Sequence, residues 1–89
     1  MTLGRVVGNV VATARHDSYR GTKVLVVQPE DPDGTAAGDL LLAIDGVGAG
    51  VGERVLVVVE GRSAGEVAGQ YPAPIDSAIV GVVDRVDLL

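Results

Sequence analysis

Three groups of residues have the types that chemistry needs. His16-Asp17-Ser18 contains the members of a nucleophilic triad, but consecutive side chains in a loop or strand point apart, whereas a triad must converge in space. The expected reading is a solvated loop. Asp31, Asp33 and Gly34 have the beginning of a calcium loop, yet the third oxygen ligand and the later bidentate glutamate of that pattern are missing. A turn is expected there instead. The glycines Gly46, Gly48, Gly50 and Gly52 invite a dinucleotide reading. Starting G-x-G-x-x-G at Gly46, Gly48 or Gly50, however, puts the third glycine on Val51, Glu53 or Val55. No phosphate-binding helix or P-loop lysine follows.

Among the carboxylates, Asp45, Glu53, Asp76 and Asp84 fall near expected strand ends, where they can cap turns or pair with Arg54 and Arg85. Nothing sets two of them at a glycosidase-like separation. With one histidine and no cysteine, a zinc or redox-metal site is not expected. No catalytic residue, cofactor or metal is expected, and the glycine loop is read as a device of shape.

The elements around these residues are strands. Short segments rich in Val, Ile and Leu, separated by turn signals, describe an all-β barrel or sandwich of five strands. The first is expected over Gly4 to Thr13, with Gly8 between two apolar pairs as a bend or bulge. A polar loop, Ala14 to Thr22, precedes a second strand over Lys23 to Gln28. Pro29 to Gly34 then supplies a turn in which a fixed proline φ meets an Asp-Gly pair. The third strand, Asp39 to Asp45, passes through the glycine loop into the fourth, Glu53 to Glu60, and these two are expected to be antiparallel neighbours. Ser63-Ala64-Gly65-Glu66 fits a capping box for a short helix through Ala68. An irregular connector, Gly69 to Pro74, leads to a last strand over Ser77 to Val86.

The chain has 89 residues, which marks a single domain that buries only about 60 to 65% of its unfolded surface. Nearly half of it is apolar, at 47%, with Tyr19 and Tyr71 as the only aromatic residues. A core this small leaves apolar surface over, and contiguous apolar patches mark protein contacts, so oligomerisation is expected. The net charge of -5 and the scattered basic residues disfavour a nucleic-acid partner. No apolar run approaches the roughly 20 residues that span a bilayer, and the N-terminus has no signal-peptide pattern, so no membrane partner is expected.

Four stretches taken in order carry a family resemblance. They are Leu3 to Thr13, Lys23 to Pro29, Asp45 to Val55 and Pro74 to Asp84. Together they resemble the EutN/CcmL family of bacterial microcompartment vertex proteins, nearly end to end. The resemblance implies a five-stranded OB-like barrel that forms a cyclic homopentamer and caps the five-fold vertices of a polyhedral shell, in the bacterial cytoplasm. It implies hexameric and pseudohexameric shell proteins as partners, and no catalysis.

In a ring, Gly48, Ala49, Gly50 and Glu53 become candidates for a loop near the five-fold axis, since small residues let five loops crowd together. Ile79, Val80 and Val82 become candidates for core or subunit contact. Two other functions use the same barrel. A single-strand nucleic-acid binder needs stacking aromatics and a basic groove, which this composition lacks. A small ligand-binding barrel or enzyme with its site between subunits would gather scattered carboxylates across a contact.

Overall fold

The computed structural model describes residues 1–11, 23–59 and 77–88. The His16-Asp17-Ser18 loop, the Ser63 to Ala68 helix, the Gly69 to Pro74 connector and Asp76 lie outside the described residues. Five strands are present: β1 (Thr2–Asn9), β2 (Val24–Pro29), β3 (Leu41–Asp45), β4 (Arg54–Val59) and β5 (Ser77–Val82). β2, β3 and β4 are built largely from Val, Ile and Leu, and β1 and β5 carry three such residues each, whose branched side chains fit a pleated surface.

The strands close into a barrel in the order β1-β2-β3-β5-β4, with β4 returning to β1. This is the five-stranded Greek-key arrangement of OB-like barrels. Four of the five contacts are antiparallel, and β3 with β5 is parallel, pairing Ile44 with Ala78 and Asp45 with Ile79. Parity requires one such pair, because strand directions cannot alternate all the way round a closed ring of odd number.

The expected antiparallel pairing of the third and fourth strands is therefore corrected: β5 lies between β3 and β4. The physical reason lies in the loop that joins them. A hairpin is set by a short turn of two to five residues, whereas here the chain from Gly46 to Glu53 crosses the barrel end and fastens onto β1. Gly52 N donates to Val6 O at 2.8 Å, and Val6 N donates to Glu53 O at 3.0 Å. At its start, Gly46 N donates to Ile79 O at 3.2 Å, which ties the loop to β5 as well.

Inside the barrel, Val6, Leu25, Val27, Ala43, Ala49, Val55, Val57 and Ile79 form one buried aliphatic cluster, with Leu41 packed against it. Each fully buried Val, Leu or Ile contributes about 1.5–3 kcal/mol, so an aliphatic cluster of this size stabilises the barrel by itself. Val24, Ile44 and Ala78, side by side across β2, β3 and β5, make a second buried row outside that cluster.

Two glycines on β1 shape its course. The ladder to β2 shifts between Val6 and Gly8, the irregularity expected at this point. Gly4 answers a different need: a Cβ there would meet Val27 Cγ1 and stand 3.0 Å from Gln28 O, so only glycine lets β1 and β2 approach so closely. The last strand stops at Val82 rather than Val86. After Val83 N donates to Arg54 O at 2.9 Å, β4 has no further residue to pair, and the chain leaves the barrel.

Candidate functional site

The loop from Gly46 to Glu53 is held by carboxylates at both ends. Asp45, the last residue of β3, turns its Oδ1 onto the chain ahead and accepts from the backbone N–H of Val47 at 3.0 Å, Gly48 at 3.1 Å and Ala49 at 3.2 Å. This is the Asx geometry in which a short acidic side chain substitutes for a backbone partner. At the far end Glu53 Oε1 accepts from Gly50 N at 2.7 Å, while Glu53 N donates to Gly50 O at 3.1 Å. Between the two caps the backbone reverses at Gly48 (φ +81°) and Gly52 (φ +94°), conformations that L side chains rarely adopt. A cation completes the fastening: Lys23 Nζ donates to Ala49 O at 2.6 Å and lies 3.9 Å from Asp45 Oδ2.

Beside the loop stands an ion cluster. Arg5 and Arg54 face each other across the β1–β4 ladder, an unfavourable like-charge pair unless something bridges it. Glu30 does so, its Oε2 accepting from Arg5 Nε at 3.0 Å and its Oε1 from Arg54 Nε at 3.1 Å. The Glu30 side chain is only 7% exposed. Arg5 Nη1 then reaches Gly52 O at 2.8 Å, joining the cluster to the loop. Arg54 Nη2 reaches the carbonyls of Asp31 and Pro32 at 3.3 and 3.4 Å, joining it to the turn after β2.

That turn is a closed hairpin tip. Glu30 bridges Ala36, Asp31 N donates to Thr35 O at 2.8 Å, and Gly34 (φ +91°) N donates to Asp31 O at 2.8 Å. Hydrogen bonding from Thr35, first from its side chain and then from its backbone N–H at 2.9 Å to Oδ1, holds the Asp33 carboxyl below the ordinary aspartate value.

The candidate residues separate on inspection. Gly48, Gly50 and Glu53 lie in one ordered loop, while Ala49 is fully buried and belongs to the barrel's own core. Ile79 is likewise core, whereas Val80 and Val82 are exposed on β5. Asp45 and Glu53 cap backbone amides, as expected, but Arg54 takes Glu30 as its partner and Arg85 takes Asp87, at 3.2 Å. The roles of Glu30 and Lys23 escaped sequence reasoning. The only available signal was a glutamate placed at the start of a turn, which reads as solvated until the arginines converge on it.

Chemically the arrangement fixes shape. The carboxylates of Asp45, Glu53 and Glu30 are bonded to amides or guanidinium groups, and among the described residues no cluster of three His, Cys, Asp or Glu side chains could hold a metal ion. A small barrel of this kind, with a braced loop and exposed valines on its last strand, belongs to the class of assembly modules. The family model described as ethanolamine utilisation protein EutN/carboxysome matches residues 1–84, and the chain belongs to this EutN/CcmL family of structural shell proteins, which are not enzymes.

The relatives are similar over nearly their whole length. The microcompartment shell vertex protein EutN of Escherichia coli K12 is 41% identical over 97% of this chain and 90% of its own. The shell vertex protein GrpN of Rhodospirillum rubrum is 42% identical over 98% and 97%. The solved structure of GrpN, described as a pentameric microcompartment shell protein, superposes with a TM-score of 0.84, 38% identity and full coverage of both chains. The structure of Gloeobacter violaceus CcmL gives a TM-score of 0.86 at 39% identity, covering 99% of this chain and 90% of that one.

Proposed function

We propose that five copies of this chain form a ring that caps a five-fold vertex of a bacterial microcompartment shell in the bacterial cytoplasm, meeting hexameric and pseudohexameric shell proteins at its rim. The observation that carries this reading is the end-to-end match, in sequence and in barrel geometry, to GrpN, a pentameric shell protein. Function follows from symmetry rather than reactivity. A five-fold unit inserted among six-fold tiles removes a wedge from the sheet and makes it curve, so a rigid subunit with fixed contact angles is the working part. The braced loop and the ion cluster supply that rigidity.

In this reading the Gly46 to Glu53 loop, with Gly48, Gly50 and Glu53, lies toward the five-fold axis, and Val80 and Val82 contribute to subunit contact. Ala49 supports the loop from within its own barrel. Five subunits carry five times -5, a formal charge of -25, and the ring meets neighbouring tiles partly through complementary charge. Native mass spectrometry of the purified chain at micromolar concentration tests the ring. Five copies of 9.0 kDa make 45 kDa, and a stable 9.0 kDa species would reject it. Co-expression with hexameric shell proteins tests the vertex role: closed polyhedra should form with this chain and open sheets or tubes without it.

A further inference from the structure

We infer that the arm after β5, residues 83–88, is an inter-subunit clasp that seats on the outer face of β1–β3 in the neighbouring copy. The inference rests on the ring proposed above and names its two contacting faces. A cyclic ring is head-to-tail, so one patch of the subunit must fit a different patch of its neighbour. The arm has the properties of one such patch. Among the described residues, its single hydrogen bond to the barrel is Val83 N to Arg54 O at 2.9 Å. Beyond it Leu88 is 70% exposed, and Arg85 and Asp87 pair with each other in solvent. It continues directly from Val80 and Val82, which are exposed as well.

The second patch is on the outer face of β1, β2 and β3, the last of which neighbours β5. Leu42 on β3 pairs with Val26 on β2, and Val26 with Gly8 on β1, so the three stand in a row. Leu42 and the adjacent Val7 are exposed. Gly8, at the β1 end of this row, adds no side chain beside Val26, where a Cβ would stand 3.8 Å from it, so the row is open there to one aliphatic side chain such as Leu88. Charge matches too. Next to the row on β1 lies Arg5, in a cluster of two arginines and one glutamate that carries a net +1. The arm, with Asp84, Arg85 and Asp87, carries -1. Opposite charges bordering an apolar contact fix its register and orientation.

The chain contains no cysteine, which makes a direct test clean. In the double variant Leu42→Cys with Leu88→Cys, oxidation should give a ladder of covalent species up to the pentamer on a denaturing gel, and neither single variant should give that ladder. The ring of a variant lacking residues 84–89 should dissociate at a concentration at least about tenfold above that of the wild type. Leu42→Asp should do the same while the far-ultraviolet circular dichroism stays that of the wild type. A wild-type pentamer whose double-cysteine variant remains uncrosslinked, or whose arm deletion dissociates at the wild-type concentration, overturns the clasp and leaves the ring standing. A wild-type monomer overturns the ring itself. Should Leu42→Asp fail to fold, the crosslink and the deletion decide, since neither perturbs the barrel core.

Discussion

At the scale of single residues, two carboxylates hold most of the site together. Asp45 is the acceptor for three consecutive loop amides, and its side chain is 4% exposed. Asp45→Ala removes the acceptor of three amides and should destabilise the subunit by about 2 kcal/mol, while Asp45→Asn, which keeps one oxygen, should cost well under half of that. Urea midpoints at fixed protein concentration, with unchanged slope, measure the difference. Glu30 presents the opposite problem, since its removal leaves two guanidinium groups face to face. Glu30→Gln should destabilise by about 2 kcal/mol, between the value of an exposed pair and that of a buried one stripped of a partner. The double variant Glu30→Gln with Arg5→Gln should recover part of that loss, because the repulsion goes with the second arginine.

Elements depend on close approach and on turn chemistry. Gly4→Ala puts a methyl group against Val27 and the Gln28 carbonyl where β1 and β2 meet. Overpacking of that kind should cost about 1–3 kcal/mol, read as a lowered urea midpoint. The hairpin tip after β2 responds to pH through Asp33. Its carboxyl is held below the ordinary aspartate value, so its bonds to Thr35 stabilise the folded chain in full above that ordinary value. The contribution fades as pH falls through the lower, folded value. The stability gap between wild type and Asp33→Ala should thus be constant at neutral pH and close on the acid limb; a gap that widened with acid would contradict the assignment.

The described residues form a closed barrel that leaves Val7, Leu42, Val80, Val82 and Leu88 exposed. If the ring is the stable form, subunits unfold from an assembly, and mass action links their stability to concentration. The melting temperature should rise steadily as protein concentration is increased across the dissociation range, whereas a monomer would melt at one temperature throughout. The same measurement on the arm deletion should give a weaker concentration dependence at equal subunit concentration. Rigidity and assembly thus fall to different parts: Asp45, Glu30 and Gly4 act inside one subunit, and the arm and its receiving face act between two.

What the residues determined alone was local. The β-branched runs predicted the five strands within a few residues, Pro29 to Gly34 predicted a turn, and Asp45 and Glu53 predicted caps, because each rests on the backbone preferences of neighbouring positions. The four quoted stretches also resembled the right family. Partner choice belonged to the tertiary structure. Whether the fourth strand pairs with the third depends on where a loop is fastened, and its fastening to Val6 and Arg5 joins positions more than 40 residues apart in sequence. The bridging of Arg5 and Arg54 by Glu30 and the burial of Ala49 are likewise products of barrel closure. Composition registers that a glutamate, two arginines and an alanine are present; only a closed sheet decides which of them meet and which side of the barrel each one faces.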